Sequence, residues 1–287
     1  MNGSQPVSRT RTVHGVPVPT FLYGTAWKEE STERLVAAAL AAGFRGIDTA
    51  NQRRHYHEAG VGNAVREALS AGGLSCDELF LQTKFTYREA QDHRLPFDPT
   101  ADEATQVRQS VASSLEHLGV ASLDSLLLHG PRGSPGLAES DIRVWRTMEE
   151  LHREKRVRLI GVSNMTAGQL AELCDISEVR PAFVQNRCFA RFGWDREVRA
   201  LCRDQEVAYQ GFSLLTANRT ELVSREVAAI ARAHGRSIPQ VIFRFALQLA
   251  MICLTGTTSP ARMREDLAVY DFELVDDEVR TLERLSG

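Results

Sequence analysis

An aspartate closes a short apolar stretch, Gly43-Phe-Arg-Gly-Ile-Asp48, and the polar loop after it carries one phenol, Tyr56. A carboxylate at the mouth of a buried strand is a poor way to build a core, because burying an unpaired charge is costly. With a tyrosine a few residues on, it is a suitable start for proton transfer. Five more polar side chains stand in the same relation to apolar runs: Lys84, His129, Asn164, Gln185 and Ser213 each lie at or just past the end of one. Taken singly, each has an ordinary reading. An aspartate there often caps the next helix, and a lysine often lays its stem along apolar surface. Six polar groups delivered to one place would form a site.

What must deliver them is a repeated unit: an apolar strand, a polar loop, an amphipathic helix. The strands read as Phe44–Asp48, Leu79–Lys84, Ser125–His129, Leu159–Ser163, Phe183–Asn186, Val207–Phe212 and Met251–Gly256. Helical spacing of three and four shows in Val107, Val111, Leu115 and Leu118, in Trp145, Met148 and Leu151, and in Val241, Phe245 and Leu249. Strands apolar throughout, each followed by a helix, imply a parallel sheet covered by helices. With Phe21–Gly24 the units number eight, which predicts a closed (β/α)8 TIM barrel. In that fold the C-terminal strand ends converge on one mouth, where active sites sit. Thr10 to Pro19, around His14-Gly15, predicts an N-terminal β-hairpin. Ser31 is expected to cap a helix running to Ala42, and two extra helices fall near Ser224–His234 and Asp276–Leu285. No linker breaks the chain, so residues 1–287 are expected to form a single domain.

Bulk properties narrow the function classes. Apolar content is 43%, charged content 25% and net charge −3, which fits a packed core and argues against a nucleic-acid partner. No apolar run is long enough to span a membrane, and Met1 to Thr12 lacks the apolar core of a signal peptide. Five scattered cysteines without a C-x-x-C pair read as reduced thiols in a cytoplasmic protein. Only three of the 34 basic residues are lysine, Lys28, Lys84 and Lys155. A monomer or weak homo-oligomer is expected. Two motifs are set aside. Gly60-Val-Gly62 lacks the third glycine and the preceding strand of a dinucleotide fingerprint, and His55, His57 and Glu58 lack a third clear metal ligand at suitable spacing, so no metal is expected.

In order and spacing, Gly43 to Ala50, Tyr56-His-Glu58 with Val61-Gly62, Leu79 to Lys84, Leu126-Leu-Leu-His129, Gly161-Val-Ser-Asn164 and Ser259 to Asp266 resemble the aldo-keto reductases along roughly the whole chain. The resemblance implies a barrel that binds NADPH (NADP+) and reduces aldehydes and ketones with a tetrad, here Asp48, Tyr56, Lys84 and His129. The chemistry is coherent. Carbonyl reduction needs a hydride donor and an acid for the developing alkoxide. A phenol is a feeble acid, with an ordinary pKa of about 10. An ammonium roughly 4 Å away, at an effective dielectric of about 20, favours the phenolate by about 4 kcal/mol. Lys84 would supply that charge, Asp48 would hold the lysine, and His129 would orient the carbonyl oxygen. In the family's pattern the tyrosine follows the aspartate by five residues. Here that position is Arg53, and Tyr56 lies in a lengthened loop, with Tyr87 as its rival.

For the cofactor, the resemblance implies Ser163, Asn164 and Gln185 at the nicotinamide carboxamide, and Phe212 as the stacking ring where the family usually has tyrosine. It further implies Gly24, Thr25, Asp48, Ser213 and Leu215 nearby, and Thr257, Thr258, Ser259, Arg262, Glu265 and Asp266 at the adenosine end. Gly256 replaces a family lysine that meets the 2′-phosphate, so Arg262 is expected to carry the preference for NADPH. Candidate walls for a small-molecule carbonyl substrate are Trp27, His55, Phe85 and Trp194, with Arg53, Arg88 and Pro131. The insert Arg88 to Thr100 is expected to act as a flap, and the short end after the last helix implies an open pocket. The arginines and histidines hint at an anionic substrate. Two competing readings are a non-catalytic NADPH-binding barrel serving as a regulatory or partner subunit, and a different barrel enzyme such as a metal-dependent lyase or hydrolase.

Overall fold

The computed structural model describes residues 7–285, so the first six residues of the polar N-terminal segment and the last two residues of the chain lie outside the described residues. Strands β1 (Thr10–Val13) and β2 (Val16–Pro19) form the expected antiparallel hairpin. Its two-residue turn puts His14 at φ 45 and Gly15 at φ 80, the left-handed pair that a tight hairpin requires.

The barrel follows. Strands β3 (Phe21–Gly24), β4 (Gly46–Asp48), β5 (Phe80–Phe85), β6 (Leu123–Leu128), β7 (Val157–Ser163), β8 (Phe183–Arg187), β9 (Ala208–Phe212) and β10 (Ile252–Thr255) pair in parallel and in chain order, and β10 closes on β3. Helices α1 (Thr32–Ala42), α2 (Glu58–Ser70), α3 (Glu103–Leu118), α4 (Glu139–Arg153), α5 (Ala167–Ile176), α6 (Arg196–Asp204) and α8 (Ile238–Gln248) make the crossovers. The two additional helices of the C-terminal part, α7 (Arg225–His234) and α10 (Asp276–Glu283), pack on α8, and α9 (Pro260–Leu267) follows β10 and packs on α1. Ser31 does not cap α1. It closes a 3-10 turn, Glu29–Ser31, in helical conformation, so its hydroxyl is not presented to the helix N–H groups.

Two features position the site. The inward-facing Leu22, Phe80, Leu127, Leu159 and Phe183 share one buried cluster with the hairpin residues Val13 and Val18. The apolar barrel interior is thus continuous with the hairpin, and the polar inward-facing groups gather towards the C-terminal strand ends. Helix α2, which follows the Tyr56 loop, lies so close to α3 that any side chain at Gly62 would run into the His117 carbonyl. The glycine therefore fixes how the loop re-enters the fold.

Candidate active site

Strand alternation decides which side chains reach the interior. On β5, Gln82 and Lys84 point inward, while Thr83 and Phe85 point to the helices. The Lys84 ammonium lies 2.7 Å from both carboxylate oxygens of Asp48 and donates to the Thr49 carbonyl at 2.8 Å. All three of its N–H groups are thereby engaged. Asp48 Oδ1 also accepts from Gln82 Nε2 (2.7 Å) and Gln185 Nε2 (3.0 Å). Below it, Gln82 and Gln210 exchange hydrogen bonds at 2.8 and 2.9 Å, Gln185 Nε2 donates to Gln210 Oε1 at 2.8 Å, and Ser125 Oγ donates to Gln82 Oε1 at 3.0 Å. This buried amide layer holds the carboxylate from beneath. Burial pushes the Lys84 pKa down, and Asp48 opposes the fall.

The extra residues before Tyr56 form one tight turn. The N–H groups of His55 and Tyr56 both donate to the Gln52 carbonyl, at 3.1 and 3.0 Å, and the His55 carbonyl accepts from Trp27 N–H at 2.7 Å. The longer path thus returns Tyr56 to the mouth. Its ring sits edge-on to His129, centroids 5.9 Å apart, with the Lys84 ammonium 5.5 Å from its centre. The phenol is pushed up from its ordinary pKa, by burial and then by the Asp48 charge. This is opposite to the lowering expected from Lys84 alone, because burial of the phenol dominates and the Asp48 charge acts in the same direction. Tyr87 is placed elsewhere. Its hydroxyl donates to Asp141 at 2.8 Å, and the Arg132 guanidinium lies over its ring at 4.0 Å.

His129 has a partner that sequence reasoning missed. Its Nδ1 lies 2.6 Å from Thr86 Oγ1. Burial, and then the Lys84 charge, lower its pKa from 6.5 to about 3, so the ring is neutral at working pH. The Thr86 hydroxyl has no other partner among the described residues, and the arrangement in which it donates to Nδ1 leaves the ring's own proton on Nε2.

Asp48, Tyr56, His129, Ser163, Asn164, Gln185, Phe212 and Ser213 line one cavity of about 370 Å³, with Gly24, Trp27, His55 and Gly256 among the other residues around it. Ser163 Oγ donates to the Gln185 carbonyl at 2.7 Å, and Asn164 Nδ2 donates to the His129 carbonyl at 2.8 Å and to Ser163 Oγ at 3.1 Å. Asn164 (φ 56) and Ser213 (φ 57) adopt the left-handed conformation just past their strands. Trp27 and His55 stack with centroids 3.7 Å apart.

Other sequence candidates fall outside the lining. Thr25 is buried, its N–H and hydroxyl both donating to the Asp48 carbonyl at 3.0 Å. Leu215 and Thr258 do not reach the cavity, and Thr257 offers its carbonyl to Tyr23. Ser259 caps α9, and Arg262 and Glu265 are exposed on that helix. Asp266 is corrected: its buried carboxylate accepts from Thr255 Oγ1 at 2.8 Å, and burial pushes its pKa up to about 7, so it faces the core. Lys28, on the loop after β3, donates its ammonium to the Gly256 carbonyl.

Two proposed walls are also corrected. Phe85 is wholly buried against Tyr87 and Phe97, on the helix side of β5. Trp194 is 0% exposed, packs on Phe245 and donates Nε1–H to the Leu282 carbonyl at 2.8 Å, so it anchors α10. Arg53 pairs with Glu30, Arg88 is absent from the lining, and Pro131 borders a neighbouring cavity beside Tyr87. The Arg88 to Thr100 insert is tied down: Gln91 donates to the Asn51 carbonyl, Arg94 to the Arg53 carbonyl, and Phe97 is buried.

Known proteins share this architecture. The sequence model of the Aldo/keto reductase family matches residues 20–286. An uncharacterized oxidoreductase of Bacillus subtilis, YtbE, is 31% identical over 280 residues, covering 96% of this chain and 92% of the relative. A glyoxal reductase of the same organism is 30% identical over 276 residues, covering 95% and 91%. Among solved structures, an aldo/keto reductase from Brucella melitensis superposes with a TM-score of 0.81 at 28% identity, covering 96% of this chain and 98% of that one. A Bombyx mori aldo-keto reductase in complex with NADP gives a TM-score of 0.81 at 22% identity over 96% and 92%, which bears on the fold alone.

Proposed function

The chain belongs to the aldo/keto reductase family, and from that premise we propose that it reduces an aldehyde or ketone to the alcohol with NADPH, using Tyr56, Lys84, Asp48 and His129. The observation that carries this reading is the convergence of Asp48, Tyr56 and His129 on one cavity, with Lys84 bound beneath them.

The residues present fit the cofactor. The two Nε2 hydrogens of Gln185 are taken by Asp48 and Gln210, and none of the described residues donates to its Oε1. That oxygen and the Asn164 Oδ1 are acceptors for a carboxamide NH2, and the Asn164 Nδ2 hydrogen now on Ser163 Oγ can turn to the carboxamide oxygen. Phe212 lines the cavity wall, Lys28 binds the Gly256 carbonyl at its edge, and Arg262 adds an exposed cation on α9. When bound, the cofactor supplies the hydride. This chain's own residues do the rest. Neutral His129, with its proton on Nε2, donates to the carbonyl oxygen and fixes its orientation. Tyr56 gives the proton as charge develops on that oxygen. Lys84 stabilises the resulting phenolate, and Asp48 with its amide layer keeps the lysine in place.

Titrating NADPH against protein fluorescence and then following its oxidation with a panel of aldehydes and ketones, glyoxal included, tests the reading. Saturable binding without oxidation of any member would favour the non-catalytic alternative. The only support for that alternative, the lengthened Asp48-to-Tyr56 spacing, is weakened by the turn that returns Tyr56 to the cavity.

A further inference from the structure

The charges around the cavity do not balance. Asp48 is paired with Lys84. His129 is neutral, and burial lowers the pKa of His55. The remaining charged group in the lining is Arg187, which sequence reasoning did not select. It is the last residue of β8, two along from Gln185 and on the same face, and it lies in register with Phe212 on β9. Two residues rise about 6.6 Å along a strand, so Arg187 stands one pleat above the Gln185 amide, nearer the mouth. Its guanidinium carbon is 5.6 Å from the centre of the Phe212 ring. That contact orients the group without neutralising it. Among the described residues no carboxylate lies within 4 Å of it and no acceptor takes its hydrogens, whereas Arg53, Arg132 and Arg199 are all paired. An exposed fork of donors held on an aromatic face, at the rim of a reaction cavity, is a carboxylate receptor in its chemistry.

We propose that Arg187 pairs with the carboxylate of the carbonyl substrate, so that the enzyme's substrates are oxo acids. The proposal rests on the carbonyl-reduction reading of the same cavity. A phosphate of the dinucleotide is the other oxyanion that could meet this arginine, and the test separates the two. For Arg187→Gln and Arg187→Lys, kcat/KM is measured with 4-oxobutanoate and with butanal, and the NADPH dissociation constant is taken from fluorescence quenching. The expected result is a fall of about tenfold or more in the ratio of acid to neutral substrate for Arg187→Gln. Arg187→Lys should be intermediate, and NADPH affinity should change less than threefold. A tenfold loss of NADPH affinity with the ratio unchanged would overturn the carboxylate assignment and place a cofactor phosphate there. An unchanged ratio with unchanged affinity would overturn it outright. A third arm needs no turnover: glutarate, which cannot be reduced here, is titrated against the fluorescence of the cavity-mouth residue Trp27. Saturable binding that Arg187→Gln abolishes supports the anion site even if no carbonyl is reduced, which would count against the reduction reading alone. Glutarate binding equally to both proteins would overturn the proposal.

Discussion

Replacing Thr86 by valine tests the assignment of His129 at a single atom. The side chains are close in shape, and Thr86 is 3% exposed, so the substitution removes one buried hydroxyl with little change in packing. That hydroxyl holds His129 Nδ1 at 2.6 Å. Without it, either a buried nitrogen lone pair is left unpaired or the ring proton moves to Nδ1 and an acceptor faces the carbonyl oxygen. An unsatisfied buried polar group costs about 1–3 kcal/mol. Carried into the transition state, that is about a fivefold to 150-fold loss in kcat/KM. Thr86→Ser keeps the hydroxyl and should stay within a few-fold of the parent. Nitrogen NMR of the imidazole gives a second readout, since the Nε2–H form should dominate in the parent and lose its dominance in Thr86→Val. A Thr86→Val protein that folds, keeps the Nε2–H ring and reduces carbonyls within twofold of the parent would refute the reasoning.

Other substitutions separate neighbouring roles. Tyr56→Phe should lower kcat by about 10²–10⁴, the usual span for a lost general acid, while NADPH still quenches fluorescence. Tyr87→Phe should instead cost stability, about 1–2 kcal/mol by urea unfolding, because its hydroxyl serves Asp141; a larger activity loss in Tyr87→Phe than in Tyr56→Phe would reverse the assignment. Asp266 has a carboxyl raised from 3.8 to about 7, so its contribution to stability is full below pH 3.8 and is lost as pH rises to about 7. Asp266→Asn should therefore stabilise the protein at pH 8 by something on the order of 4 kcal/mol at most and hardly at all near pH 4; equal shifts in melting temperature at both pH values would contradict this.

The barrel was legible because its periodicity is strong. Every expected strand is present, with ends displaced by a few residues, and the hairpin was marked by His14-Gly15. The polar strand ends were legible for the same reason, since a charge closing an apolar run has few other uses. The amide layer was missed although a signal existed: Gln82 interrupts Phe80-Leu-Gln-Thr-Lys84 two residues before the lysine, which puts both on the inner face. The same alternation would have excluded Phe85 from the cavity. Trp194 could not have been placed this way, because its burial depends on α10, almost ninety residues later. Arg187 was hidden by its position at a strand end beside Gln185, where only the register with Phe212 shows that it borders the cavity.

The pH profile of reduction discriminates among the site's titrating groups. His129 sits at about 3, so no acid limb from it is expected in kcat above about pH 4. A limb near 6.5 would mean that the ring is solvated and charged, contrary to its burial. On the alkaline side, Tyr56 is pushed up while Lys84 is pushed down. The first group to titrate on raising pH is therefore the ammonium. Its loss removes the charge that stabilises a phenolate, so kcat should fall while the phenol stays protonated. Phenolate absorbance followed across the same limb decides the matter. If absorbance stays flat as kcat falls, Lys84 carries the limb. If a phenolate signal that is missing from Tyr56→Phe grows in step with the loss of rate, the charge balance inferred from the Asp48–Lys84 pair is wrong.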